Sequence, residues 1–516
     1  MDGFDGYGGL ARAFARSMMT SMIQMNRRTI LTASGAALLL PQSLRAQAKG
    51  DAFSWDALVA RAQALARAPY RETPPNPGAA KVDYNALHAA RFRDERTLWG
   101  DLPGDTGVRF FPLSATAPQP VEIAIVEKGR ATPLRYDPAM FDAPAGNAVG
   151  ALGPDAGFAG FRIMNAARDG DWLSFLGASY FRAPGPQKQF GLSARAVAIN
   201  TSIQGQEEFP RFTHFWLERT GATSVTVYAL LDGASIAGAF RFASSLGRDG
   251  VRQDVTAALF PRRAIRELGI SPMTSMFWYD QANRAKGTDW RPEIHDSDLL
   301  SIASGDGGVQ ARPIVNPANP HFSAFVERDP KGFGLLQRDR DFDHYQDDGV
   351  FYDRRPSLWA TPAAGWGAGQ VRLYAFPTDS EYTDNVAAYW TPDGAVKPGR
   401  RIDARYRLDW SAARAPASSG LAIVENVWRG RGEQDGVERL VVDFSGVPQD
   451  IKPQVWSDVA NGAAVKTAGY PVLGRPGLFR TVIDLRRGST VPADVRLQLR
   501  SGNRGLSEML HYPIGA

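Results

Sequence analysis

Apolar and polar positions alternate in short runs along most of this chain, and turns bearing Gly or Pro break the runs. Segments 225–231 (VTVYALL), 371–375 (VRLYA), 440–444 (LVVDF) and 495–499 (VRLQL) carry the β-branched and aromatic content of strands. The chain holds 52 Gly and 35 Pro, and such dense reversals between short runs predict an all-β fold. Helical periodicity is confined to 55–67, 84–92 and 264–268. A large β-sandwich unit is expected over 49–410, closed by a small, Pro-bearing, nearly featureless linker at 411–420 (SAARAPASSG). Residues 421–516 supply further strands at 421–428, 440–444, 454–459, 478–485 and 495–499, the size and spacing of a small immunoglobulin-like β-sandwich. No repeat of about 20–50 residues is visible, which disfavours propellers and solenoids.

The amino terminus reads as an address. Asn26-Arg27-Arg28-Thr29-Ile30-Leu31 precedes a modest apolar stretch through Leu40 and an Ala46-Gln47-Ala48 exit. A basic start, a short apolar region and an A-x-A site make a cleaved export signal over 1–48, and the paired arginines make it twin-arginine cargo. The mature chain then begins near Lys49 in the periplasm, and translation starts at Met1, Met22 or Met25. The apolar stretch is too short for a stable membrane span, and no later run approaches about 18 apolar residues. The absence of cysteine suits a cargo that folds in the reducing cytosol before export.

Charge and composition exclude more than they assign. A net charge of +5 arises from 59 basic and 54 acidic residues interspersed along the chain, which makes no nucleic-acid footprint. With no cysteine, and with six histidines never at metal-binding spacing, no metal site of the common kinds is expected. Phosphate-loop, dinucleotide-turn and nucleophile-elbow motifs are absent too, so no cofactor is expected.

Two acidic segments stand out, 289–298 (DWRPEIHDSD) and 376–390 (FPTDSEYTDNVAAYW). Each sets carboxylates among aromatic rings. Glycosidic bonds are cleaved by one carboxyl that protonates the leaving oxygen and one carboxylate that activates water or attacks carbon, while aromatic faces stack on sugar rings. The competing reading is polar loop residues capping strands.

Longer strings carry a family likeness. They are 157–162 (GFAGFR), 175–183 (FLGASYFRA), 191–195 (GLSAR), 207–210 (EEFP) and 228–232 (YALLD), then 268–277 (LGISPMTSMF), 291–298 (RPEIHDSD), 332–340 (GFGLLQRDR), 351–359 (FYDRRPSLW), 365–367 (GWG) and 384–390 (DNVAAYW). In this order they resemble the periplasmic osmoregulated glucan biosynthesis proteins, D and G members, with the twin-arginine leader pointing to the D-like branch. The resemblance implies a galactose-mutarotase-like β-sandwich joined to an immunoglobulin-like domain, and action on β-1,2-glucan. It implies an inverting endo-β-1,2-glucanase or, in some relatives, a transglycosylase closing α-1,6 rings. Carried over by position, the general acid falls on Asp384 and the general base on Asp296, with Glu381 and Tyr352 as neighbours that tune or relay protons.

The residues bear on that assignment in their own right. Glu381 and Asp379 are placed to raise the pKa of Asp384 by like charge, and Tyr382, Tyr389 and Trp390 to exclude water. Asp296 and Asp298 share a face if their segment is extended, so Asp298 is either a second candidate base or a hydroxyl ligand. His295 reads as a structural histidine. Arg354, Arg355 and Trp359, beside Tyr352, offer donors and a ring for sugar, against ion pairing with Asp347, Asp348 or Asp353. Trp278, Trp290 and Trp366 are stacking platforms or core. The charge run 337–343 (QRDRDFD) reads as a solvated or paired loop near the cleft. Three functions stay open: hydrolysis of linear β-1,2-glucan, transglycosylation of it, and glucan binding without catalysis. The expected partners are the polysaccharide and, during export, the twin-arginine translocase; the sequence leaves a homodimer undecided.

Overall fold

The structure is a computed structural model that describes residues 50–515 except 103, 105, 417–419, 489 and 490. The export signal expected over 1–48 lies outside the described residues. Among these, no helix is long and apolar enough to cross a membrane.

The fold is all-β, built on two large sheets. At the centre of the first, Arg211–Gly221, Ser224–Asp232, Ile236–Gly247, Gly250–Pro261, Ile402–Ser411, Ser357–Pro362, Gly332–Leu336 and Leu299–Ala303 are hydrogen-bonded neighbours in that order. The second runs from His321–Arg328 through Ala368–Ala375, Val386–Pro392, Leu268–Ser275, Ser193–Arg195, Tyr180–Arg182, Asp171–Leu176 and Gly160–Met164 to Gly107–Phe111. Cross-strand pairing puts Phe161, Phe175 and Phe181 side by side on the second sheet. Their rings stack at 5.4 and 5.1 Å and meet Phe215 and Phe242 of the first sheet edge to face. Truncating one such ring to Ala typically costs ~3–5 kcal/mol, because the packed wall closes only in part over the void.

Two of the three expected helices form. Trp55–Arg67 starts where Ser54 caps the Ala57 amide at 3.1 Å, and it buries Leu58, Val59 and Ala62 against Trp216, Leu230, Ala239 and Ala258 on the outside of the first sheet. Tyr84–Ala89 is capped by Asp83 but ends early, because Arg91–Phe92 pairs with Phe141–Asp142 instead. The segment 264–268 is not helical. Ile265 bridges to Val396 and Leu268 opens a strand, since five residues cannot offset the cost of a helix nucleus.

The carboxy-terminal block closes onto the large unit. Ile423–Arg431, Glu438–Ser445, Leu478–Arg487 and Gly462–Pro471 form one sheet. Facing it, Gln454–Ala460, Ala493–Ser501 and Met509–Ile514 extend the first large sheet, with Met509–Ile514 parallel to Val309–Pro313. The core between them includes Leu299, Ala311 and Leu336 from the large unit. A bidentate pair, Arg338 to Glu508 at 2.7 and 2.6 Å, is buried at this junction. The start of the expected linker is held to the large unit: Ser357 donates to the Ala413 carbonyl at 2.7 Å, and Arg414 to that of Arg338 at 2.9 Å.

Candidate functional site

A cavity of about 560 Å³ opens beside the second sheet, and Asp296, Tyr352, Arg355, Glu381 and Asp384 all line it. One peptide unit fixes the two acidic segments relative to each other. The Met276 carbonyl accepts from the Asp296 amide at 2.8 Å. On the other side of the same peptide, the Phe277 amide donates to Asn385 Oδ1 at 2.9 Å, while Asn385 Nδ2 donates to the Phe376 carbonyl at 2.9 Å. Asn385 is fully buried, so the residue before it, Asp384, leaves the strand Val386–Pro392 in a fixed direction.

Each carboxyl has its own neighbour. Asp384 Oδ2 accepts from the Tyr180 hydroxyl at 2.9 Å, and Ser193 donates to that hydroxyl in turn. Asp296 accepts from Arg355, whose guanidinium lies 4.1 Å from the Tyr352 ring centre. Gly191 leaves room for this arrangement: a Cβ there would stand 3.1 Å from the Arg355 side chain. Phe351 sits at φ 50°, a left-handed conformation unfavourable for a bulky residue, at the turn that aims Tyr352 and Arg355 inward. Glu381 accepts from the Tyr352 hydroxyl at 2.6 Å and from both Arg291 Nη atoms at 3.0 Å; Arg291 also reaches Asp347 at 2.6 Å and Asp289 at 2.9 Å.

Burial dominates the electrostatics. It pushes Asp296 up to about 6, Arg355 opposes it, and the Asp384 charge adds to it. Burial also raises Asp384, against Tyr180, Arg195, Arg182 and Arg355. For His295, burial alone would lower the pKa, but the Glu293 carboxylate, joined by the charges of Asp298 and Asp280, lifts the imidazole to about 9. His295 is fully buried, bonded to Gln337 at 3.0 Å and to Glu293 at 3.1 Å.

Several expected site residues do not line this cavity. Asp298 turns away, its Oδ2 accepting from the Arg338 and Asp339 amides at 2.7 and 2.8 Å. Strand alternation fails here because the chain crosses between sheets, the Asp296 amide binding Met276 and the Asp298 amide Leu336. Trp359 covers Gly332 and Gly334 and packs on the carboxy-terminal core. Trp366 packs among Phe333, Trp390 and Tyr406. Trp278 is buried edge-on to Tyr279 at 5.2 Å, and Trp290 projects into solvent at 70% exposure. Arg354 lies over the Phe351 ring and beside Asp353 at 3.5 Å. Conversely, sequence reasoning did not single out Tyr180, Ser193, Arg182 or Arg291, although all four fall within strings that carry the family likeness; no spacing rule links them to a carboxylate 90 or 200 residues away.

Among the described residues, Glu293, Asp339 and His344 place ligand-type atoms within 4.8 Å of one another. His344 is hydrogen-bonded to Asp339 at 2.6 Å and Glu293 to His295 at 3.1 Å.

The family model described as periplasmic glucan biosynthesis protein, MdoG, matches residues 53–514. Similar proteins include Glucans biosynthesis protein D 2 of Ralstonia nicotianae, 41% identical over 93% of this chain and 95% of that one. Glucans biosynthesis protein D of Xanthomonas oryzae pv. oryzae is 41% identical, covering 95% of this chain and 98% of its own. A galactose mutarotase related enzyme from Lactobacillus acidophilus overlaps 47% of this chain and 97% of its own at 9% identity and a TM-score of 0.22, too slight a likeness to bear on topology.

Proposed function

The chain belongs to the periplasmic glucan biosynthesis family, MdoG, and from that premise we propose that it is a periplasmic enzyme, exported through the twin-arginine translocase, that cleaves linear β-1,2-glucan internally with inversion. One observation carries the reading: two carboxyl groups in unlike surroundings open on one cavity. Burial raises the Asp384 pKa and so favours the protonated form a proton donor needs, while the hydrogen bond from Tyr180 opposes that rise. Asp296 has a cation against it and a pKa of about 6, so it is ionised at neutral pH, as a base must be.

In the reaction, Asp384 gives its proton to the glycosidic oxygen as the carbon–oxygen bond breaks. Water attacks the anomeric carbon from the opposite face, and its proton passes to Asp296. Tyr352 and Glu381 flank the base and relay or tune that transfer. Arg355 keeps Asp296 oriented and its charge balanced. Solvent then exchanges the protons and resets the pair.

Incubating the mature protein with linear β-1,2-glucan and weighing the products tests this. Shorter linear chains are expected. Products lighter by one water would instead mean cyclising transglycosylation, and unchanged polymer would mean binding alone. Asp384→Asn and Asp296→Asn should each abolish turnover while glucan binding persists.

A further inference from the structure

We propose that Tyr180, itself held by Ser193, is a positioning residue for Asp384: its hydroxyl occupies Oδ2 and confines the transferable proton to Oδ1. This rests on the reading of Asp384 as the acid. Ser193 is fully buried and Tyr180 is 5% exposed, so neither hydroxyl exchanges partners freely with water. Ser193 donates to the Tyr180 oxygen, which directs the phenolic proton onward, 2.9 Å from Asp384 Oδ2. An oxygen that already accepts this bond is a poor place for the acid's own proton. The other oxygen receives it.

Both donors sit on short neighbouring strands, Tyr180–Arg182 and Ser193–Arg195, paired through Ala194 to Phe181 and Arg195 to Tyr180. The relay is therefore built into the sheet and does not depend on loop closure. Tyr180 also supports the ionised form of Asp384, as a hydrogen-bond donor to a carboxylate does. The other charges bearing on Asp384 are Arg195, Arg182 and Arg355, together with Asp296, and a Tyr180 substitution leaves all four in place.

The test is the pH dependence of kcat and kcat/KM on linear β-1,2-glucan for wild type, Tyr180→Phe and Ser193→Ala, with Asp384→Asn as control. Tyr180→Phe should move the alkaline limb up by about one pH unit and lower kcat about tenfold with little change in KM. Ser193→Ala, the milder change, should move both in the same direction by less. If Asp384→Asn is inactive while both hydroxyl variants keep the wild-type limb and kcat, the positioning role is overturned. A kcat loss without any shift of the limb would also overturn it, since that marks a structural role only. An active Asp384→Asn overturns the acid assignment itself.

Discussion

Replacing Asp296 by Asn should stabilise the folded protein at neutral pH even though it removes the proposed base. The folded-state pKa stands at about 6 against an ordinary 3.8. At 1.36 kcal/mol per unit, that gap of about two units is ~3 kcal/mol. The sign follows from proton counting. Between pH 4 and 6, roughly, the folded chain keeps a proton that the unfolded chain has released, so stability falls as pH rises through this window. Above it the full penalty is present. Asn imitates the protonated acid and escapes the penalty, while its carbonyl can still accept from Arg355. Urea unfolding followed by tryptophan fluorescence should show Asp296→Asn about 3 kcal/mol more stable at pH 7.5, with the gap closing below about pH 4. Were the Arg355 pair stronger than burial, the folded pKa would lie below 3.8 and the sign would reverse. A variant less stable than wild type at pH 7.5, or a gap independent of pH, refutes the reasoning.

The same value predicts that kcat/KM falls below about pH 6 in the wild type, and that Arg355→Gln moves this acid limb up by ~1–3 units, the usual influence of an adjacent guanidinium; an unmoved limb would assign the base elsewhere. Arg338→Met should cost ~3–5 kcal/mol by stranding the buried Glu508, and Arg338→Met combined with Glu508→Leu should recover most of it, as denaturation of the single and double variants would reveal. Asp298→Ala should cost ~1–3 kcal/mol by leaving the Arg338 and Asp339 amides without their acceptor, while the pH profile of turnover stays as in wild type.

The strands were the legible part. Alternation and turn residues depend on neighbours two to four positions away, and 225–231, 371–375, 440–444 and 495–499 all lie inside observed strands. Where the ladder leads was not written locally. Nothing in 509–514 signals that it pairs with Val309–Pro313 across the expected boundary, and this pairing makes one face of the carboxy-terminal sandwich continuous with the large sheet. Tryptophans were equally mute, because one indole serves as core or platform. Trp366 and Trp359 were taken up by packing, whereas the rings found at the cavity include Trp172, Phe190 and Tyr382.

The carboxylates teach a narrower lesson. Asp296 and Asp298 look interchangeable in sequence, yet one lines the cavity and the other holds a turn. What separates them is the partner of each backbone amide, Met276 for one and Leu336 for the other. Likewise Asp384 is aimed by Asn385, whose amide grips the far side of the peptide that holds Asp296. Residues 276 and 277 are apolar, buried and chemically silent. They nonetheless tie together the backbone segments that carry Asp296 and Asp384, the pair proposed as base and acid, and a carboxylate pair does chemistry only at a fixed separation. A reading confined to chemically active residue types passes over them, and the geometry of this site is decided there.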